Sequence, residues 1–405
     1  MPATRHKNIR IRMYRVGFGD CFLVTLPGAG AKPRQVLIDC GVHPRGDIKT
    51  MGDVVTNICA ETGGELDLIV ATHAHQDHLS GFGGFAQKFR AMKVREVWLP
   101  WTENSGDAAA AALKKKRLAL VEGLARHFAA VRDPRYQAVN AALLNLRGND
   151  AAFALLKSEL GAALAYREAG QHISDAAGIK GLDVEVLGPP RDKEFLARMD
   201  PPASERYLRA AAAEAGESRS LAPFPPKWNY KYDTPPLSDA DLEYFKELAD
   251  ESGEALAFAL TQAVNNTSIV MLMRYGGHAM LFPGDAQYGN WQFWLERKDA
   301  AGLLAGVSFY KVSHHGSENA TPRDALDRMP EGKFAAMIPT QDTPWPSIPY
   351  SKLMAAVAKQ TGGRFVRSDS ISVHGAPAGP AAPHLPEGFQ EGQLWYDYSM
   401  AVETA

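Results

Sequence analysis

The feature that most constrains this chain is a short apolar run, Leu68–Ala71, followed at once by the segment Thr72–His78. The run is partly β-branched and too short for a helix, so it predicts a buried β-strand. The segment that follows reads Thr-His-Ala-His-Gln-Asp-His and brings three histidines and one aspartate within six positions. Imidazole nitrogens and carboxylate oxygens are the ligands that zinc and similar divalent metals take. The pattern therefore predicts a metal site at the end of a buried strand.

The spacing within this segment favours two metal ions over one. In an extended turn His73 and His75 lie on one side, and Asp77 and His78 are offset from them. Two diverging ligand pairs suit a two-metal hydrolase, in which the ions lie about 3.5–4 Å apart. A single histidine is usually an ordinary packed or exposed residue, so the prediction depends on the spacing together with the preceding strand.

Composition narrows the class of protein. The 405 residues are 45% hydrophobic, which is enough for a sizeable core, and the formal net charge is −2. That charge gives no overall attraction to nucleic acid or to an anionic membrane, although a local basic groove is compatible with it. The start of the chain is charged and lacks an apolar signal core, and no run of about 18 apolar residues occurs. We therefore expect a soluble protein with no membrane partner.

The cysteines indicate the compartment. Cys21, Cys40 and Cys59 are the only three in the chain. They are too few, and odd in number, for a disulfide framework. Buried thiols in a reducing environment are the simpler interpretation, so we expect a cytoplasmic location.

Two further groups of metal-type ligands also follow predicted strands. The predicted strand His278–Phe282 leads to Asp285, and the strand Val307–Val312 leads to His314 and His315. Ligands gathered at the ends of several strands are a common way for a sheet to build a site. Each has a simpler alternative: Asp285 as a turn residue and the histidine pair as part of a surface loop.

An aspartate also ends an earlier strand. Gln35–Ile38 predicts a strand, and Asp39 follows it directly, close to a glycine. A carboxylate in this place can orient a metal-bound histidine or water through a hydrogen bond. The alternative is an aspartate that only forms the turn.

The middle of the chain differs in composition. From residue 103 to about 180 alanine dominates, and helical periodicity runs through three segments: Ala108–Val131, Arg135–Leu146 and Ala151–Ala169. We predict a single domain over 1–405, with a helical and irregular insertion at about 103–260. The basic run Lys114–Arg117 is typical of a solvated helix face, with a phosphate-binding patch as the alternative.

Together these motifs resemble the metallo-β-lactamase fold superfamily, and most closely the hydrolase domain of the ComEC competence proteins and its soluble relatives. The matching segments stand in family order: Val16–Asp20, Leu37–Gly41, Thr72–His78, Asn265–Ser268, Phe282–Ala286 and Ser313–Ser317. They extend roughly over 9–100 and 260–370, and the alanine-rich middle has no recognisable counterpart. The resemblance implies an α/β fold, a four-layer αβ/βα sandwich with the site at the sheet edges.

The resemblance also implies a role for each ligand. His73 and His75 would hold the first metal ion. Asp77 and His78 would hold the second. Asp285 matches the carboxylate that bridges the two ions.

The remaining ligand positions match those of the superfamily less closely. By the resemblance, His314 or His315 completes the second metal site, and we prefer His314. Many superfamily members give the first metal a third histidine, but here Asn265 and Asn266 stand in that place. An asparagine carbonyl is a weaker zinc ligand, so two zinc ions are expected only if the first site fills, with manganese as the alternative.

The expected function is hydrolysis of a phosphoester, in nucleic acid or in a small phosphodiester, through a metal-activated water. Asp77, Asp285 and His315 are the expected catalytic residues. One alternative is an ester, lactone or amide hydrolase of the same fold. The other is a metal-binding regulatory module without turnover.

Overall fold

The computed structural model describes residues 8–28, 32–46, 48–128, 143–146, 148–198, 264–342, 345–369 and 384–402. Most of the predicted helix Arg135–Leu146 and the later part of the expected insertion, residues 199–263, lie outside the described residues.

Eight strands of the described chain form the first sheet. In order across the sheet they are β14 (Phe389–Glu391), β15 (Trp395–Ala401), β1 (Asn8–Tyr14), β2 (Cys21–Leu26), β3 (Arg34–Cys40), β4 (Glu65–Val70), β5 (Lys93–Pro100) and β6 (Ala163–Arg167). Strands β3 to β6 run parallel, and the remaining pairs are antiparallel. The parallel half therefore brings the carboxyl ends of β3 and β4 to one edge.

Seven described strands form the second sheet. Their order is β13 (Phe365–Arg367), β12 (Ala335–Ile338), β11 (Val307–Lys311), β10 (His278–Phe282), β9 (Val270–Tyr275), β8 (Asp183–Gly188) and β7 (His172–Ile173). Strands β10 to β13 are parallel, so β10 and β11 also end at a common edge. Strands β9 and β10 form a hairpin, with Gly276 and Gly277 at φ of 54° and 84° in its turn.

Helices cover the outer face of each sheet, and the apolar inner faces pack on each other. Phe22 of β2 and Phe282 of β10 meet between the sheets, with ring centroids 5.8 Å apart. On the first sheet lie α1 (Met51–Thr62), α2 (Gln76–Gly84), α3 (Ala86–Arg90) and α5 (Asp150–Ala154). On the second lie α7 (Tyr288–Leu295), α8 (Ala300–Ala305), α9 (Arg323–Asp327) and α10 (Ser351–Gln360). These four layers confirm the predicted αβ/βα sandwich.

The alanine-rich middle contains more strand than expected. The predicted helix at Ala108–Val131 is confirmed as α4 (Ala108–Phe128), and α6 (Lys193–Ala197) follows later. The predicted helix Ala151–Ala169 is wrong beyond its first turns, because α5 and the π-helical turn Leu155–Glu159 end before β6. Gly161, at φ of 62°, breaks the helix, and pairing with β5 then satisfies the backbone of an alanine-rich strand.

Other parts of this region serve the fold. Strands β7 and β8 belong to the second sheet, and the division of the chain into one domain with an insertion stays a prediction. Lys114 and Arg117 of the basic run pair with the buried carboxylate of Glu103, at 3.9 and 3.1 Å, which favours a structural role for them. Among the described residues, every helix is too short or too polar to cross a membrane.

Candidate metal centre

The sequence-predicted ligands meet at one edge where the two sheets face each other. Asp39 ends β3, the segment Thr72–His78 follows β4, Asp285 follows β10, and His314 and His315 follow β11. These side chains, together with Asn265 ahead of β9, are all buried. The strand order thus brings together residues that are more than 200 positions apart in sequence, such as Asp77 and His315, 238 positions apart.

The first pair of histidines forms one side of the site. His73 Nε2 and His75 Nδ1 lie 2.9 Å apart, and Thr72 Oγ1 lies 3.1 Å from His73 Nδ1. Burial lowers the pKa of His75 to about 3, although Asp77 acts in the opposite direction. Burial, with the neighbouring His78 and His75, also holds the pKa of His73 well below its usual value. Both rings are therefore neutral, and each of the two facing nitrogens is able to offer a lone pair to a metal ion.

A second group converges on one oxygen of Asp285. Its Oδ2 lies 3.1 Å from His78 Nε2 and 3.1 Å from His315 Nε2. His315 Nε2 also lies 3.1 Å from Asp77 Oδ2. Burial alone would lower the pKa of His315, but Asp285 and Asp77 raise it to about 10. Two carboxylates and two imidazoles thus share one small volume, which is the arrangement of a cation site.

His315, and not the expected His314, is the residue that the structure brings to Asp77 and Asp285. Both histidines have left-handed backbone conformations, with φ of 44° and 53°. Because the chain turns tightly here, the two rings point to different neighbours. His315 Nδ1 lies 2.8 Å from Pro339 O, whereas His314 Nε2 lies 3.0 Å from Asn265 Nδ2.

The two candidate asparagines also separate. Asn265 contacts His314, and its buried Oδ1 has no hydrogen-bond partner among the described residues. Asn266 Oδ1 instead accepts from the backbone N–H of Gln287 at 3.0 Å, and its Nδ2 donates to Arg198 O at 2.7 Å. Asn266 therefore joins loops of the scaffold, and only Asn265 faces the site.

Asp39 lies behind the ligands, as expected for a residue that orients them. Its backbone is left-handed, at φ of 55°. Oδ1 accepts from the Thr72 N–H at 2.7 Å, and Oδ2 lies 2.7 Å from His78 Nδ1. His78 Nδ1 can donate its proton to this carboxylate, so Nε2, 3.1 Å from Asp285 Oδ2, is the ring atom available to a metal ion.

Sequence reasoning gave no role to two further residues of the centre, Asp20 and Lys311. Lys311 Nζ donates to Asp20 Oδ2 at 2.6 Å, to Asp285 Oδ1 at 3.0 Å and to Gly284 O at 2.7 Å. Asp20, His78, Asp285 and His315 each offer one ligand atom within 4.8 Å of the others. A signal existed, since Lys311 is the one charged residue in an otherwise uncharged strand segment, Val307–Val312.

The donor set fits a divalent cation. The buried carboxylates of Asp20, Asp39, Asp77 and Asp285 lie together with the ammonium group of Lys311 and with His315, whose raised pKa makes it a second cation when no metal ion is bound. Within the described part of the chain, four buried atoms of the site lack a hydrogen-bond partner: Asp20 Oδ1, His75 Nε2, Asp77 Oδ1 and Asn265 Oδ1. Buried polar atoms are normally satisfied, so these open oxygen and nitrogen atoms are available to a metal ion, which would displace the proton of His315.

The fold is a two-sheet αβ/βα sandwich, and a histidine–aspartate cluster lies at its edge. This combination is typical of a hydrolase with a metal centre. Residues 14–113 match the model of the family described as the metallo-beta-lactamase superfamily. Over these residues the chain is similar to that superfamily, and the similarity supports a metal-dependent hydrolase in general terms.

The chain is similar to a solved structure, the metallo-beta-lactamase fold protein YhfI from Bacillus subtilis, with 9% identity and a TM-score of 0.38. The match covers 89% of this chain and 96% of that chain. Comparison with curated proteins gave no match.

Proposed function

We propose that this chain is a metal-dependent phosphodiesterase of the ComEC-like type. The observation that carries the proposal is the convergence of His78 and His315 on Asp285, whose Oδ2 lies 3.1 Å from each of the two imidazole Nε2 atoms. Asp77 Oδ2 joins the group at 3.1 Å from His315 Nε2. A divalent ion held there would activate a water molecule and stabilise negative charge on a phosphoryl oxygen.

The chain's own residues support this chemistry in distinct ways. Asp39 and the carbonyl of Pro339 orient the rings of His78 and His315 through their Nδ1 atoms. Asp77 holds one oxygen toward His315 and keeps Oδ1 open to accept a proton from an attacking water. His314 is the most exposed of the site histidines, at 7%, and it would contact the substrate from beside Asn265.

The metal assignment follows from the ligands. The group around Asp285 suits zinc, because it combines imidazole nitrogen with carboxylate oxygen. By the family resemblance, the pair His73 and His75 would have the Asn265 carbonyl as its third ligand, so this first site would be weaker or would take manganese. All three cysteines are free thiols, which supports the proposed cytoplasmic location.

The proposed substrate is a phosphodiester, either nucleic acid or a small molecule. A near-neutral net charge of −2 does not favour a polymer over a small substrate. Binding of a polymer would weaken with salt in proportion to the phosphates contacted, so titration with salt separates the two.

The first test is metal content together with turnover of a chromogenic phosphodiester, with zinc or manganese added. We expect bound metal and metal-dependent turnover in the unchanged protein. Loss of a residue that only supports a metal ligand typically costs about 10–100-fold in metal affinity or activity. Asp77 is itself a proposed ligand, so Asp77→Ala should reduce kcat/KM by at least about 100-fold. Asp327→Ala, whose side chain is 62% exposed on α9, is the matched control and should retain activity.

Three other outcomes would contradict the proposal. Turnover of a lactone or ester, with phosphodiesters untouched, would move the enzyme to that class. Metal binding without any turnover would favour a binding or regulatory module. A protein that binds neither zinc nor manganese would remove the metal basis altogether.

A second test separates the adjacent histidines. We expect His315→Ala to lose metal from the group around Asp285, because the His315 Nε2 lies 3.1 Å from a carboxylate oxygen of both Asp77 and Asp285. His314→Ala should retain that ion and lower activity only. Elemental analysis of both purified variants measures this, and the reverse result would restore the preference for His314.

A further inference from the structure

A segment of the alanine-rich middle reaches the metal-binding loop directly. Asn145 Oδ1 accepts a hydrogen bond of 2.9 Å from the backbone N–H of Asp77, 68 residues earlier in the chain. Asn149 Nδ2 donates to the carbonyl of Ala74, between His73 and His75, at 2.8 Å. Both asparagines are buried. Two side chains of one segment thus bond to the backbone of the ligand loop.

The side chain of Asn145 caps the N-terminus of α2, where the helix has no side-chain cap of its own. His75 stands at the N-cap of α2, and its side chain caps no backbone N–H. The first N–H groups of a helix have no partner within the helix, so one of them needs an acceptor from elsewhere. Asn145 supplies this acceptor to Asp77, while the Asp77 carbonyl accepts from the Asp20 N–H at 3.0 Å. Both backbone groups of this ligand are therefore held by distant parts of the chain.

Packing keeps this segment on α2. Phe153, Leu155 and Leu156 belong to the same buried apolar cluster as Leu79 and Phe82 of α2. Gly83 permits the close approach, because a Cβ there would lie 3.2 Å from the backbone nitrogen of Ala152. The segment is thus a fixed support for the ligand loop and not a loose appendage.

We infer that Asn145 is a positioning residue for the metal centre. By holding the Asp77 backbone, it fixes the side chain so that Oδ2 meets His315 and Oδ1 remains open. The inference rests on the proposed function where it concerns metal affinity, but the support of the loop can be measured without any metal.

The test compares Asn145→Ala with Asn145→Asp, which keeps an acceptor oxygen in the same place. Leu144→Ala is the matched control, since Leu144 is the neighbouring residue and is 47% exposed. Hydrogen exchange of the metal-free protein, read from peptides that contain the Asp77 amide, should be at least about tenfold faster in Asn145→Ala only. Zinc or manganese affinity, measured by titration, should fall about tenfold in Asn145→Ala and be restored in Asn145→Asp.

The outcomes are distinct. Unchanged exchange in Asn145→Ala would overturn the inference, as would faster exchange that Asn145→Asp does not restore. If the unchanged protein binds no metal, the proposed function fails. In that case the exchange result alone still decides whether Asn145 supports the loop.

Discussion

Asp285→Asn is expected to abolish phosphodiester hydrolysis and to empty the metal centre. Asparagine has nearly the same volume, but it removes the negative charge and can place an amide where Oδ2 now faces His78 and His315. In the unchanged protein the pKa of Asp285 is well below its usual value, because His315 and Lys311 outweigh the effect of burial. The carboxylate is therefore ionised at any working pH. Among the described carboxylates, Asp285 is the one with an oxygen 3.1 Å from Nε2 of both imidazoles.

The expected loss in kcat/KM is at least about 100-fold. Loss of a residue that only supports a metal ligand costs up to about 100-fold, and Asp285 is itself a proposed ligand. Metal content and a far-ultraviolet circular dichroism spectrum should be measured on the same sample. The spectrum should match that of the unchanged protein. Asp299→Asn, at an exposed aspartate that pairs with Arg297, is the control. Activity within tenfold of the unchanged protein, with full metal content, would contradict the assignment of Asp285 as the shared ligand.

Lys311→Met is expected to destabilise the metal-free protein by about 3–5 kcal/mol, the usual cost of removing one partner of a buried ion pair. Methionine fills a similar volume but leaves the carboxylates of Asp20 and Asp285 without the ammonium group that donates to both. Burial would lower the pKa of Lys311, but these two carboxylates raise it, so the lysine is charged and its loss leaves uncompensated charge. Chemical denaturation of the metal-free protein measures the change in free energy of unfolding.

The double variant Lys311→Met with Asp20→Asn provides the control. It should recover part of the lost stability, because it removes one of the two unpaired carboxylates. Added zinc or manganese should also recover part of it, since a bound cation would replace the missing positive charge. A loss below about 1 kcal/mol would contradict the ion pair and would mean that Asp20 or Asp285 is protonated in the metal-free protein.

Local pattern was sufficient to predict the elements that carry the ligands. The apolar run before His73 and the strands that lead to Asp285 and to His314 each depend on neighbouring residues, and each is present. The alanine-rich composition wrongly predicted a helix at Ala163–Arg167, where pairing with β5 outweighs helix propensity and a strand forms. Propensity describes an isolated segment, and an edge strand depends on its neighbour.

Contacts across long stretches of sequence could not be predicted in this way. The choice between His314 and His315 depends on two consecutive left-handed residues, whose side-chain directions are set by tertiary packing. The contact of Lys311 with Asp20 spans 291 positions and joins the two sheets. The bond from Asn145 to Asp77 comes from a segment without a recognisable counterpart in the family that the motifs resemble.

The position of β15 between β14 and β1 has a consequence for the order of events during synthesis. All seven residues of β1 pair with β15, from Asn8 with Ala401 to Tyr14 with Trp395. Arg12 of β1 also finds its buried partner there, with bonds of 2.8 Å to both carboxylate oxygens of Asp397. A ribosome makes β1 long before β15, so a nascent chain exposes an unpaired strand edge, and Arg12 lacks Asp397, until residues 395–401 have emerged. Products that stop short of residue 395 would keep that edge open, and they are the species that chaperones and proteases would have to clear.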